Sequence, residues 1–350
     1  MNLQYATGVK AVVHSRSGDS DVLHVVERPT PEPGPGEVRV RVVVSGVNPT
    51  DWKSRRGASP SQALAFPEVV PNQDGAGVVG ALGAGVDTLH VGQRVWLWEA
   101  AWQRANGTAQ EQVVLPERHV VALADHASMD LGASLGVPAI TAHRCLTVAE
   151  DFPAQLTRGS LVGRTVLVAG GAGAVGHAAI QLAKWAGATV ITTVSGATKG
   201  DLARRAGADL VVNYKEEDAA TLIRAFAPEG VDVVVEVAVG VNQALDAAVC
   251  APAATVAVYA TNGGDDVTLR VRDHMTRNTR FQFVLLYTVP SPAKDAAIVA
   301  VSAAVADGAL SVGAETGLPV IRFALERTGE AHDRVEGGAV GKVLIDVSAE

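Results

Sequence analysis

The chain has 350 residues, of which 48% are hydrophobic and 19% charged, and a formal net charge of -8. That length exceeds what one hydrophobic core usually serves, and the composition is that of an ordinary globular protein, so two domains are expected. The acidic balance, without any basic tract, argues against a nucleic-acid partner gripped through its phosphates, so none is expected, and two cysteines, Cys145 and Cys250, make neither a disulfide framework nor a four-thiolate zinc site.

At the N-terminus, residues 1–18 show no apolar run behind a basic start. The longest apolar stretch, 165–190, is broken by glycines and by His177, Gln181 and Lys184. Neither a secretory signal nor a membrane span is read there, and a cytoplasmic protein is expected. Up to about residue 135 the chain is β-rich: valine-rich runs at 38–47, 74–83 and 92–98 are separated by Pro/Gly turns, with 29–37 as the densest loop.

From about residue 160 the rhythm changes. Short apolar runs at 165–169, 189–194, 210–214, 231–237 and 255–260 alternate with helix-like stretches, and Gly207 closes one of these as a C-cap residue. Continuous apolar runs alternating with helices predict a doubly wound parallel sheet. A sixth strand is read at 281–287 and a small-residue helix at 293–307, after which 342–347 returns to β character. The fold class is therefore α/β: a Rossmann domain over 139–311, inserted into a β-rich catalytic domain made of 1–138 and 312–350.

The segment 165–187 reads as strand, then Gly171-x-Gly173-x-x-Gly176, then helix, with a further strand 13 residues after Gly176. In that context the motif is a dinucleotide loop formed by Gly171, Ala172, Gly173, Ala174, Val175 and Gly176. The first glycine is expected to allow the tight turn, the second to let backbone N–H groups approach a pyrophosphate, and the third to pack helix against strand. NAD-binding versions place an acid about 20 residues on, yet no acid occurs between Gly176 and Asp201. Ser195 and Lys199 stand there instead, and they would welcome a 2′-phosphate. NADPH is the expected cofactor.

Several blocks taken together, 46–57, 69–96, 136–146, 207–218, 337–347 and the glycine loop, resemble the quinone oxidoreductase (zeta-crystallin-like) branch of the medium-chain dehydrogenase/reductase superfamily. The resemblance spans essentially the whole chain and implies that the β-rich domain is GroES-like. It implies further cofactor contacts at Tyr214 and Arg334 on the 2′-phosphate, and at Asn48 and Thr141 beside the nicotinamide. It places the catalytic zinc positions of related alcohol dehydrogenases at Asn48, Gln73 and Val137, with Asp74 at the position of their glutamate. None of these supplies a thiolate or imidazole, so a zinc-free enzyme is expected.

Without a Lewis acid, the acceptor should already be electrophilic: a quinone or an α,β-unsaturated carbonyl, receiving hydride while charge grows on its oxygen. The form NPTDWK (48–53) resembles that of enone and enoyl reductases, where the lysine lies near the substrate. Lys53 is therefore the candidate to polarise the carbonyl or deliver a proton, with Asp51 orienting it and Asn48 beside it. Trp96 and Trp98 are read either as pocket walls or as plain core. An enone reductase as the main activity and a non-enzymatic NADPH-binding protein both remain open. The resemblance also suggests a homodimer, through edge pairing of 281–287.

Overall fold

The computed structural model describes residues 8–57 and 64–350; the N-terminal seven residues, part of the segment read as carrying no leader, lie outside it. The chain divides into two compact units. One comprises the residues up to Val137 together with Val320–Glu350, and the other is Pro138–Pro319.

In chain order the first unit contributes β1 (Val9–Val13), β2 (His24–Arg28), β3 (Glu37–Val47), helix α1 (Pro49–Arg56), β4 (Asp74–Leu82), β5 (Arg94–Leu97), β6 (Gln112–Pro116), β7 (Val120–Ala122) and α2 (Met129–Gly132). The second unit follows with α3 (Gly136–Leu146), β8 (Thr165–Ala169), α4 (Ala174–Trp185), β9 (Thr189–Val194), α5 (Ala197–Ala206), β10 (Leu210–Asn213), α6 (Ala219–Phe226), β11 (Val231–Glu236), α7 (Val239–Val249), β12 (Cys250–Val258), α8 (Val271–Met275), β13 (Arg280–Phe283) and α9 (Ser291–Ala306). The chain then returns to the first unit with β14 (Val320–Ala324), α10 (Thr328–Glu336) and β15 (Lys342–Asp346).

In the first unit β3 is the hub. It pairs antiparallel with β4 along most of its length, and along its other edge with β6 and then with β15. Val38, Val40 and Val42 alternate inward and pack with Val79, Val95, Leu97, Val113 and Leu115, as a half-buried strand with period two must. Each such valine or leucine withdrawn from water contributes about 1.5–3 kcal/mol. Gly46 of β3 lies opposite Asp74 of β4, and Val47 opposite Val343 of β15. This register brings the start of α1, the start of β4 and the start of β15 to one place.

The second unit is a six-stranded sheet in the order β10-β9-β8-β11-β12-β13, with every pairing parallel. The inner strands β8, β9, β11 and β12 are largely buried on both faces, which is why they read as apolar runs. The order reverses between β8 and β11, and in open α/β sheets ligands bind at the carboxyl ends beside such a reversal. The segment after α9 packs on this same unit: His177 of α4 hydrogen-bonds the Thr316 carbonyl across 2.8 Å.

The sixth strand is shorter than the sequence suggests. Pairing stops at Phe283, and a single turn forms at Leu286–Thr288. The apolar run continues because it changes partners: Leu286 and Tyr287 turn inward, while Phe283 and Leu285 remain exposed. No helix among the described residues is long and apolar enough to cross a membrane.

Candidate active site

The glycine loop joins β8 to α4, and each glycine has a distinct reason to be there. The tight turn falls on Gly170, whose φ of 72° suits glycine, and not on Gly171 as the motif alone suggests. A Cβ on Gly171 would stand 2.2 Å from Thr192 Oγ1, and one on Gly176 would stand 2.5 Å from the Gly170 carbonyl oxygen. Both are glycine because the protein itself leaves no room. Gly173 is different: a Cβ there would meet only the Gly170 oxygen at an ordinary 3.5 Å. Gly173 is exposed, and Ala174 and Val175 are half-buried, whereas Gly171, Ala172 and Gly176 are buried. The first-turn N–H groups of α4 have no acceptor within the helix, and the dipole of α4 is positive at this end. The cradle has space and donors for a pyrophosphate, and the residues present fit a dinucleotide.

At the carboxyl end of β9, Lys199 Nζ donates to Ser195 Oγ across 2.9 Å. Asn213 of β10 lies opposite Val194, and the N–H of Tyr214 donates to the Val194 carbonyl, so Tyr214 continues beside Ser195. A cavity of about 430 Å³ opens here, lined in part by Thr193, Tyr214, Asn242 and Leu245. Asn242 is held from below by Glu236, at the end of β11, whose Oε1 accepts from Asn242 Nδ2 at 3.0 Å and from the Ala238 N–H. Asp246 of α7 is buried as well, and neither of its oxygens has a hydrogen-bond partner among the described residues. Burial and the nearby Glu236 raise the Asp246 carboxyl well above the usual range, and burial raises that of Glu236. Sequence reading passed over this acid pair. Thr141 is buried on α3.

The first unit gathers a second polar group. Asn48, at the entry to α1, donates from Nδ2 to Asp74 Oδ2 at 2.7 Å, and its Oδ1 accepts from Lys342 Nζ at 2.7 Å. Lys342 Nζ and Asp74 Oδ2 are 3.6 Å apart, with side chains 1% and 0% exposed. Asp74 Oδ1 also accepts from the Val137 N–H at 2.8 Å. That approach requires Gly136, where a Cβ would stand 2.1 Å from the carboxylate. Burial and the charge of Asp74 push Asp51 up to about 8, against the pull of the backbone N–H groups and Lys342. Burial likewise raises Asp74 and lowers Lys342, each opposed by the other's charge.

Asp51 does not orient Lys53. Its two oxygens accept from the backbone N–H groups of Asn48 and Gln73, at 2.7 and 3.1 Å, while Lys53 is exposed, its ammonium 5.7 Å from the Trp52 ring centre. Residues two apart on a helix face different ways, so the pairing is geometrically excluded. Trp96 and Trp98 are both 1% exposed, and Trp98 Nε1 donates to the Arg118 carbonyl; both are core. Arg334 is exposed on α10. Lys342 was not singled out from sequence. The available signal was a lysine opening a strand whose next three residues are all apolar.

The sites read as zinc positions do not fit zinc. Both ends of the Asn48 amide are engaged, Gln73 Oε1 accepts from the Ala101 N–H at 3.0 Å, and Val137 offers only its backbone. No cluster of three or more His, Cys, Asp or Glu side chains able to hold a metal occurs among the described residues.

Comparison with known proteins agrees with this architecture. Residues 34–125 match the alcohol dehydrogenase GroES-like domain, and residues 174–313 match the family described as zinc-binding dehydrogenase. The chain belongs to the medium-chain dehydrogenase/reductase superfamily, in its quinone oxidoreductase branch. It is 35% identical over 207 residues to a chloroplastic quinone-oxidoreductase homologue of spinach, a match covering 59% of this chain and 60% of the relative. It is 27% identical over 320 residues to human quinone oxidoreductase, covering 90% of each. Among solved structures, the mycobacterial protein Rv1454c complexed with NADPH superposes with a TM-score of 0.77 at 27% identity, over 96% of this chain and 99% of that one.

Proposed function

We propose that this protein is an NADPH-dependent reductase of quinones or α,β-unsaturated carbonyls. The observation that carries the reading is the Lys199–Ser195 pair beside Tyr214 at the carboxyl end of β9, where a cation and a hydroxyl occupy the place an NAD-binding loop gives to an acid. Lys199 and Ser195 hold a 2′-phosphate, Tyr214 covers the same end, and the first turn of α4 holds the pyrophosphate. Arg334 is a further phosphate ligand in this reading, and Asn48 and Thr141 contact the nicotinamide side. NADPH bound in this way supplies a hydride.

The side chains at positions 48, 73 and 137 offer neither thiolate nor imidazole, so the proposed acceptors are molecules whose carbon is already electrophilic. Lys53, exposed beside Trp52, polarises the acceptor carbonyl or passes it a proton, without help from Asp51. The exposed edge of β13, with Phe283 and Leu285 outward, pairs with a second copy of the chain to form a homodimer.

The test is NADPH oxidation against a panel of quinones, alkenals and 2-enones, repeated with NADH and with Lys53→Ala. Faster turnover with NADPH on one of these classes is expected, with loss of rate in Lys53→Ala. Equal rates with NADH would remove the cofactor assignment. Tight NADPH binding without turnover on the whole panel would leave a binding protein rather than an enzyme.

A further inference from the structure

Lys342 opens β15, and its ammonium, Asn48 and Asp74 form a closed triangle. The ammonium donates to Asn48 Oδ1, the other end of the amide donates to Asp74 Oδ2, and ammonium and carboxylate lie 3.6 Å apart. An amide set between a cation and an anion has one stable orientation. Flipping it would turn its NH₂ toward the ammonium and its oxygen toward the carboxylate, replacing two charge-assisted hydrogen bonds with two repulsions. Neutral partners would not discriminate in this way, because hydroxyls and amides rearrange to suit either orientation.

The frame around the triangle is fixed as well. Asp74 is anchored by the Val137 N–H and by the close approach that Gly136 permits. The N–H of Asn48 is anchored by Asp51. Lys342 is held in register because β15 pairs with β3, placing Val343 opposite Val47. All four side chains are 3% exposed or less, so water does not compete for these bonds.

We propose that Lys342 is a positioning residue: a built-in cation, standing among side chains that offer neither thiolate nor imidazole, that locks the Asn48 amide in the single orientation used where hydride is transferred. This rests on the reading that Asn48 contacts the nicotinamide side of a bound cofactor. The amide's remaining hydrogen and lone pair then keep a fixed direction through the reaction, at no cost in reorganisation.

The double variant Lys342→Met/Asp74→Asn tests this, because it removes base and acid together and avoids stranding either charge. It is expected to melt near the wild type, yet to lose kcat by about tenfold or more, with KM for NADPH moving less than about threefold. A second measurement needs no turnover. In protein labelled with ¹⁵N-asparagine, the side-chain amide signal absent from Asn48→Ala should exchange slowly with solvent in the wild type, and should shift and exchange faster in the double variant.

Recovery of kcat along with stability would overturn the proposal, leaving Lys342 a charge-balancing residue only. So would an Asn48 amide that exchanges in the wild type as fast as an exposed asparagine, or stoichiometric zinc in the purified protein. Should the wild type reduce no acceptor, the reductase reading fails by itself, and amide exchange still decides the positioning.

Discussion

Lys199 Nζ lies 2.9 Å from Ser195 Oγ, one turn of α5 below the end of β9. The pair is half-buried, so its charge is neither fully screened nor expensive to keep. Lys199→Ala is expected to weaken NADPH binding by about tenfold, the value of one charge-assisted hydrogen bond to phosphate, and to leave NADH binding unchanged. Fluorescence titration with both nucleotides checks this. A parallel loss for NADH would show that Lys199 supports the fold of the loop and not the phosphate.

Gly171 and Gly173 should separate stability from binding. Gly171→Ala drives a methyl group into Thr192 and is expected to cost about 1–3 kcal/mol, seen as a lower melting temperature. Gly173→Ala meets nothing closer than 3.5 Å in the protein, so the melting temperature should hold. NADPH affinity should nevertheless drop by about tenfold or more, since the methyl group occupies the pyrophosphate approach. Undiminished binding in Gly173→Ala would count against the cradle.

Two buried histidines predict the acid limit of the fold. Burial, with Arg55 and His14 nearby, holds His332 down to about 3; burial, with Arg144, holds His143 down to about 4. Each has a folded pKa below its unfolded value of about 6.5. The stability tied to a neutral ring is therefore complete above pH 6.5 and is lost as pH falls toward 3 or 4. The slope is about 1.4 kcal/mol per pH unit for each ring. The buried carboxyls Asp51 and Asp246 slope the opposite way over the same window, so the measurement is a comparison: in denaturant melts between pH 7 and 4.5, the stability advantage of the wild type over His332→Asn should shrink by about that slope as pH falls. A difference between wild type and variant that stays constant over that window would refute the assignment.

Asp246 predicts the opposite trend. Its carboxyl is raised by burial and by Glu236, so ionising it in the folded state is unfavourable. Stability should fall as pH rises past the unfolded carboxylate value of about 4. Asp246→Asn keeps the shape and removes the charge, so it should melt higher than the wild type at pH 7 and equally at pH 4. A lower midpoint at pH 7 would show that the carboxylate has a partner that only the ionised form engages.

The parallel sheet was legible because strands buried on both faces carry no alternation to misread, and helix ends such as Gly207 announce themselves by backbone conformation. The last strand was overread at 281–287, because an apolar run looks the same whether it pairs with β12 or turns to pack beneath it. The glycine loop gave its place but not its division of labour, since only the packed structure shows that Gly170 makes the turn. The Asp51–Lys53 pairing failed on helix geometry that the sequence already contained. Lys342 went unassigned for a deeper reason. A lone lysine reads as solvated, and its burial depends on partners 294 and 268 residues away along the chain, Asn48 and Asp74.

The triangle at Asn48 has an evolutionary consequence. Installing a thiolate at position 48 alone would leave the Lys342 ammonium and the Asp74 carboxylate without the amide that joins them. Placing an imidazole at position 73 alone would orphan the Ala101 N–H. A cysteine at 137 alone would bind nothing. None of these single replacements creates a zinc site, and the first two leave buried polar groups short of a hydrogen bond. A zinc site at these positions is thus several coordinated substitutions away from this arrangement, not one.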